Sequence, residues 1–312
     1  MSDSDKTPIE VQKPALREAD PALVRLYAEP YAIFAPVRRT APFVFASPHS
    51  GRLYPSSFVK ASRLGPIGLR RSEDAFVDEL FMGGIECGAP LIAARFPRAY
   101  LDVNRAPGEL DASMFDAPLA VTADSAGPRV QAGLGVIPRI VRDGAEIYRG
   151  RLAAAEAGQR LDGLYRPYHA ALSRLIEETR AQFGFAVLVD CHSMPSAAAV
   201  PDIVLGDRYG ISAGPVLMRA AERMFERHGF SVARNSPYAG GYTTHLYGRP
   251  ARGVHALQVE INRCLYLDEE RVARGAKFAE VQMRIARVLA DLTAMDVSQL
   301  RPGGGTLRHA AE

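Results

Sequence analysis

No stretch of this chain is apolar over the roughly 20 residues that a bilayer-crossing helix needs. Its polar opening, residues 1–14 (MSDSDKTPIEVQKP), has no apolar core of the kind a secretion signal carries. The expectation is a cytoplasmic protein. Cysteine is scarce: Cys87, Cys191 and Cys264 stand at irregular spacing, which excludes both a disulfide framework and a cysteine-based zinc site. Any bound metal must then be held by histidine and carboxylate. Charge of one sign is also lacking. The net charge is +3 with the basic residues scattered, so there is no footprint for nucleic acid. There is no GxGxxG turn, no Walker loop and no GxSxG elbow, which argues against nucleotide binding and against a serine hydrolase of the α/β type. No internal repeat is present.

What is there is ordinary globular material. The 312 residues are 47% hydrophobic and 23% charged, ample for one sizeable core. Residues 1–20 read as a mobile N-terminal arm and 301–312 (RPGGGTLRHAAE) as a flexible tail, leaving 21–300 as a single catalytic α/β domain. Within it, short apolar runs alternate with helical patterns, which predicts a mixed, largely parallel sheet covered on both faces. Strands are expected at 43–46, 91–94, 186–189, 203–205 and 256–261, with a further run at 100–103. Helices are expected at 73–86, 165–183, 216–228 and 269–292. In the second of these, Tyr168, Leu172, Leu175, Ile176 and Phe183 keep to one face of a 3.6-residue period, and Pro167 fits its first turn. Functional residues of such sheets gather at the carboxyl edge of the strands.

Two strands end in histidine. The run 45–52 (FASPHSGR) places His49 just past a buried strand, and 186–195 (AVLVDCHSMP) breaks into Asp190, Cys191 and His192. Neutral imidazoles projecting from separate strand ends are good zinc ligands, although either one alone is as well read as an ordinary hydrogen-bonded histidine. A carboxylate would complete the set. Glu73, Asp74 and Asp78 lie near a helix start, where helix capping accounts for them equally. Glu260 interrupts a run otherwise suited to a buried strand, so it must pair with an arginine, ligate a metal or act as a base. Arg105, next to Asn104, offers a fork for a substrate carboxylate or an internal bridge to Asp102 or Glu109; Arg139 is a similar candidate. Gly240 and Gly241 permit an unusual backbone path near a ligand, or an ordinary turn. Cys191 reads as a buried thiol.

Taken in order, SPHSGRLYP (47–55), SEDAFVDELF (72–81), YLDVNR (100–105), GLGVIPR (133–139), YRPYHAAL (165–172), VDCHSMP (189–195), DIVLGDRYG (202–210) and 235–269 resemble the N-formylglutamate amidohydrolase family. The resemblance implies a single three-layer α/β/α domain of the phosphorylase/hydrolase-like kind, similar to zinc-dependent exopeptidases and aspartoacylases. It implies a zinc ion, or a similar divalent metal, on His49, His192 and one acid. Glu260 would be the general base toward a metal-bound water, and Asn104 and Arg105 would hold a substrate carboxylate. Carboxypeptidase-type sites take their acid three residues after the first histidine, but Arg52 stands there; the resemblance points instead to Asp74, or to its neighbour Glu73. The implied reaction is hydrolysis of N-formyl-L-glutamate to L-glutamate and formate, with Arg139 or Arg52 on the second carboxylate of this small anionic substrate. Deacylation of another N-acyl or N-carbamoyl amino acid would use the same site, and a non-catalytic binding protein of the same fold is the remaining alternative.

Overall fold

The computed structural model describes residues 20–141, 144–197, 200–296 and 300–301. The expected arm and tail, apart from Asp20 and Arg301, lie outside these residues. Asp20 itself caps the first helix, Pro21–Ala28, its side chain accepting from the backbone N–H groups of Ala22 and Leu23.

Seven strands form one sheet: β1 (Tyr31–Phe34), β2 (Phe43–Ser47), β3 (Leu91–Ala94), β4 (Ala186–Met194), β5 (Ile203–Gly206), β6 (Val232–Arg234) and β7 (Val254–Asn262). Their spatial order is β1-β3-β2-β4-β7-β5-β6. The pairs β3–β2, β2–β4, β4–β7 and β5–β6 are parallel, whereas β1–β3 and β7–β5 are antiparallel. The sheet is thus mixed and largely parallel, as the alternating pattern predicts. Every residue of β2, β3, β4, β5 and β7 is buried, because helices cover both faces.

Side chains alternate between the two faces along each strand. Val44, Ala46, Ile92, Leu188 and Ala256 enter one core, together with Tyr168, Leu172, Leu175 and Ile176 of the helix Arg166–Phe183. Phe43, Phe45, Leu91, Val187, Val189, Leu257 and Val259 enter the other, against the helices Pro215–Arg227 and Phe278–Thr293. Among the described residues, no helix is long and apolar enough to cross a membrane.

Several expected elements are corrected. Residues 100–103 form turns rather than a strand. The helix expected over 73–86 is two short ones, Val77–Leu80 and Gly83–Glu86. Gly84, in the second of these, packs against the ring of Phe45 so closely that a Cβ there would lie 2.5 Å from it. The final helix begins at Phe278, after a small antiparallel hairpin (Leu267–Asp268 with Ala273–Arg274). The largest shift concerns β4. It runs well beyond its apolar stretch and pairs in register with β7 over nine residues, so His192 lies within β4 rather than past its end; β7 itself lies within two residues of the expected 256–261.

Candidate active site

The alternation within β4 and β7 places the key side chains. On the face where Leu188 and Ala256 enter the core, the next even-numbered positions are Asp190, His192, Gln258 and Glu260. An apolar stripe therefore turns polar toward the carboxyl end of two neighbouring central strands. His192 pairs with Glu260 in the β4–β7 register. His49 arrives from the loop after β2, and its ring centroid lies 4.9 Å from that of His192. The Asp74 loop is tied to this edge by its backbone N–H, which donates to the carbonyl of His49 at 3.0 Å.

Both imidazoles point Nδ1 at the same atom. His49 Nδ1 is 3.2 Å and His192 Nδ1 is 2.9 Å from Asp74 Oδ2. Their other nitrogens face buried carboxylates: His49 Nε2 is 2.7 Å from Asp102 Oδ1, and His192 Nε2 is 3.0 Å from Asp190 Oδ2. With a cation on the Nδ1 side, Asp102 would hold the ring proton of His49 on Nε2, the arrangement in which an outer carboxylate fixes the tautomer of a metal-ligating histidine, and Asp190 is placed to do the same for His192. His49, Asp74 and His192 each offer one ligand atom, all within 4.8 Å of one another, and all three are buried. Two imidazole nitrogens and one carboxylate oxygen are a donor set that suits a catalytic divalent cation with positions left for water and substrate.

Asp74 offers only one oxygen because Arg263 takes the other. Arg263 Nη2 donates to Asp74 Oδ1 at 3.0 Å and to the carbonyl of Glu73 at 2.6 Å, while its Nε donates to Ser193 Oγ at 3.1 Å. Burial alone would raise the pKa of Asp74, but the bonds from His192 and His49 hold it well below the usual carboxylate range. For His192, burial pulls downward, yet Asp190 and Asp74 carry the imidazole well above its ordinary value. Asp102 is likewise held low against burial, by Arg105, Arg98 and His49. Glu260 behaves oppositely: burial, reinforced by Asp74, pushes it up to about 7 despite His192 nearby. Gln258 Nε2 donates to Glu260 Oε1 at 2.8 Å, which leaves Oε2 without a donor among the described residues.

The other expected site residues fall in different places. Glu73 points away from the cluster, gripped by Arg70 Nε at 3.0 Å and by the Tyr54 hydroxyl at 2.7 Å. Asn104 Oδ1 accepts from Thr243 N–H at 2.8 Å and its Nδ2 lies 3.3 Å from His192 Nε2, so this amide braces the site. Arg105 is oriented by the carbonyls of Leu134 and Asn104, and its Nη2 lies 3.7 Å from Asp102 Oδ2. Gly241 packs directly on the Asn104 amide, where a Cβ would come within 2.4 Å of Nδ2, and Gly240 has φ +124°. Arg139 is drawn off toward Asp111 and Glu146. Arg52 pairs with Asp78 and Glu79 and lies over the Phe76 ring.

Sequence reasoning did not assign Arg98, Arg263, or the orienting roles of Asp102 and Asp190. Asp190 had a readable signal, since it shares the two-residue period of His192. Arg98 reaches the cluster from a turn and Arg263 from the short 3-10 helix that follows β7, and no local pattern marks them.

Fold and site together define an α/β protein with a buried candidate metal cluster, two histidines and an aspartate, at the carboxyl edge of a mixed sheet. The chain belongs to the N-formylglutamate amidohydrolase family, whose model matches residues 41–267. It is 31% identical over 265 residues to the N-formylglutamate deformylase of Pseudomonas aeruginosa, covering 81% of this chain and 93% of that protein. The N-formylglutamate deformylase of Pseudomonas putida is also 31% identical, over 73% of this chain and 82% of its own length. Among solved structures, the N-formylglutamate amidohydrolase of Ralstonia eutropha JMP134 superimposes with a TM-score of 0.80 at 35% identity, covering 85% of this chain and 97% of that one.

Proposed function

We propose that this protein hydrolyses N-formyl-L-glutamate to L-glutamate and formate, with zinc or a similar divalent cation held by His49, Asp74 and His192. The observation that carries the reading is the convergence of three donor atoms with a buried, weakly acidic carboxyl, Glu260, on the adjoining strand position. Such a cation acidifies water and polarises an amide carbonyl.

The chain's own groups then have separable tasks. With the cation bound, Asp102 and Asp190 would keep the ring proton of each imidazole on Nε2 and leave Nδ1 to the metal. Arg263 fixes Asp74 so that only Oδ2 faces the histidines. Glu260, near 7, is ionised in a large fraction of molecules at neutral pH and can accept a proton at Oε2 from the attacking water. The same carboxyl then returns that proton to the departing amine nitrogen of glutamate, so no second acid is needed. Arg105, held rigid by two carbonyls, presents its remaining N–H groups to the carboxylate next to the scissile amide.

The direct assay compares release of formate from N-formyl-L-glutamate with deacylation of N-acetyl- and N-succinyl-L-glutamate and of N-formyl-L-aspartate. The formyl glutamate should have the highest kcat/KM. A clear preference for another acyl group would move the assignment to a different deacylase on the same site.

A further inference from the structure

The substrate proposed above carries a second, distal carboxylate, and the residues expected from sequence to meet it are already engaged. Arg139 is paired with Asp111 and Glu146, and Arg52 with Asp78 and Glu79. Arg98 bonds Asp102, and Arg263 bonds Asp74. A dianion brought to this sheet edge still needs a cation that no protein carboxylate neutralises.

Arg208 meets that requirement. It is half-buried, and among the described residues its guanidinium makes no ion pair; it donates to Nδ1 of the exposed His245. Burial first, and then Arg208 and Arg249, lower the pKa of His245, which keeps that imidazole neutral and able to accept from the guanidinium.

The backbone around Arg208 is built to hold it. Arg208 and Tyr209 have φ of 55° and 57°, and the facing Asn235 has φ of 58°. Such left-handed conformations in non-glycine residues cost energy and persist only where surrounding contacts enforce them. Here Asn235 Oδ1 accepts from Asp207 N–H at 3.0 Å and Asn235 Nδ2 donates to Asp207 Oδ1 at 2.9 Å, while Arg208 N–H donates to Ala239 O at 2.7 Å. The loop is therefore braced rather than loose, and it holds the Arg208 guanidinium beside His245.

The two glycines show where that arginine stands. A Cβ on Gly240 would meet the Arg208 stem at 2.9 Å, and a Cβ on Gly241 would meet the Asn104 amide at 2.4 Å. Consecutive backbone positions, about 3.8 Å apart, thus support Arg208 on one side and the amide beside His192 on the other.

Resting on the N-formylglutamate reading, we propose that Arg208 anchors the distal carboxylate of the substrate and is the residue that sets the preference for glutamate over an uncharged side chain. In this role it acts on binding and not on bond cleavage.

The experiment compares kcat/KM for N-formyl-L-glutamate and N-formyl-L-glutamine in wild type, Arg208→Gln and Arg208→Lys, with metal content and urea midpoint measured for each. In Arg208→Gln the glutamate-to-glutamine ratio should fall about 100-fold, the size of one charge-assisted hydrogen bond, and Arg208→Lys should recover part of it. A ratio within about threefold of wild type, or an equal loss on both substrates, overturns the anchor and leaves deformylation standing. A wild-type enzyme that hydrolyses neither compound overturns the underlying functional reading, and the anchor with it.

Discussion

His192 and Glu260 occupy one rung of the β4–β7 pair, on the same face of the sheet. Adjacent strands are about 4.8 Å apart, so a candidate ligand and the proposed base are held one sheet step from each other by backbone hydrogen bonds. Neither depends on a loop for its placement.

Glu260→Gln preserves shape and the neighbouring Gln258 but cannot take a proton. The variant should keep its metal and lose about 10²- to 10⁴-fold in kcat. In wild type, kcat/KM should rise with pH as Glu260 ionises, at or below about 7, since burial pushes the carboxyl up to about 7, a bound cation favours its charged form, and only that form accepts a proton. Near-normal turnover by Glu260→Gln would mean that another group moves the proton.

Asp74 and Glu73 are adjacent in sequence and opposite in role. Asp74→Asn should weaken metal affinity by at least about tenfold, read by competition against a chromogenic chelator. Glu73→Gln, which disturbs only the Arg70 and Tyr54 grip, should bind metal as wild type does. Equal affinities for the two variants would remove Asp74 from the ligand set.

Gly241→Ala tests the brace behind His192. The added methyl cannot coexist with the Asn104 amide 2.4 Å away, so Asn104 must turn out of its bond to Thr243. The protein should lose about 1–3 kcal/mol of stability, and kcat/KM should drop by more than the drop in folded protein explains. An unchanged kcat/KM would show that Asn104 is dispensable.

His169 offers a pH signature in stability. Its Nε2 donates to the carbonyl of Val103 at 2.9 Å, next to Asn104, and its Nδ1 lies 2.9 Å from the Tyr247 hydroxyl. Burial lowers its pKa from 6.5 to about 4. The unfolded chain therefore takes up the proton first. The contribution is complete above 6.5, declines as pH falls toward about 4, and declines no further below that. A difference of this size corresponds to about 3 kcal/mol. Urea titrations of wild type and His169→Gln between pH 7 and pH 4 should diverge by an amount of that order. Parallel curves would refute the assignment.

Much of this was legible before any coordinates. The β-type runs at 43–46, 91–94 and 203–205 found their strands within a residue or two, because a buried central strand writes itself as a continuous apolar run. The same rule misplaced the end of β4, where Asp190 and His192 continue the pleat after the apolar signal stops, while β7 was found within two residues although Gln258 and Glu260 interrupt it. The edge strands β1 and β6 are short and only partly buried, with too little pattern to read. His49 and His192 could be singled out because each follows an apolar run, and Glu260 because it interrupts one. The bonds from Asp102 to His49 and from Arg263 to Asp74 join residues 53 and 189 positions apart, and only the folded chain brings them together.

That separation has a thermodynamic side. His49 is 25 positions from Asp74, and Asp74 is 118 from His192. A cation bound to all three closes two loops that the unfolded chain leaves open, and its binding free energy adds to the stability of the folded state. At a free metal concentration 1,000 times the dissociation constant, the gain is about 4 kcal/mol. The melting temperature should therefore climb with metal concentration, and the thermal stability of the preparation becomes a record of how fully the site is loaded.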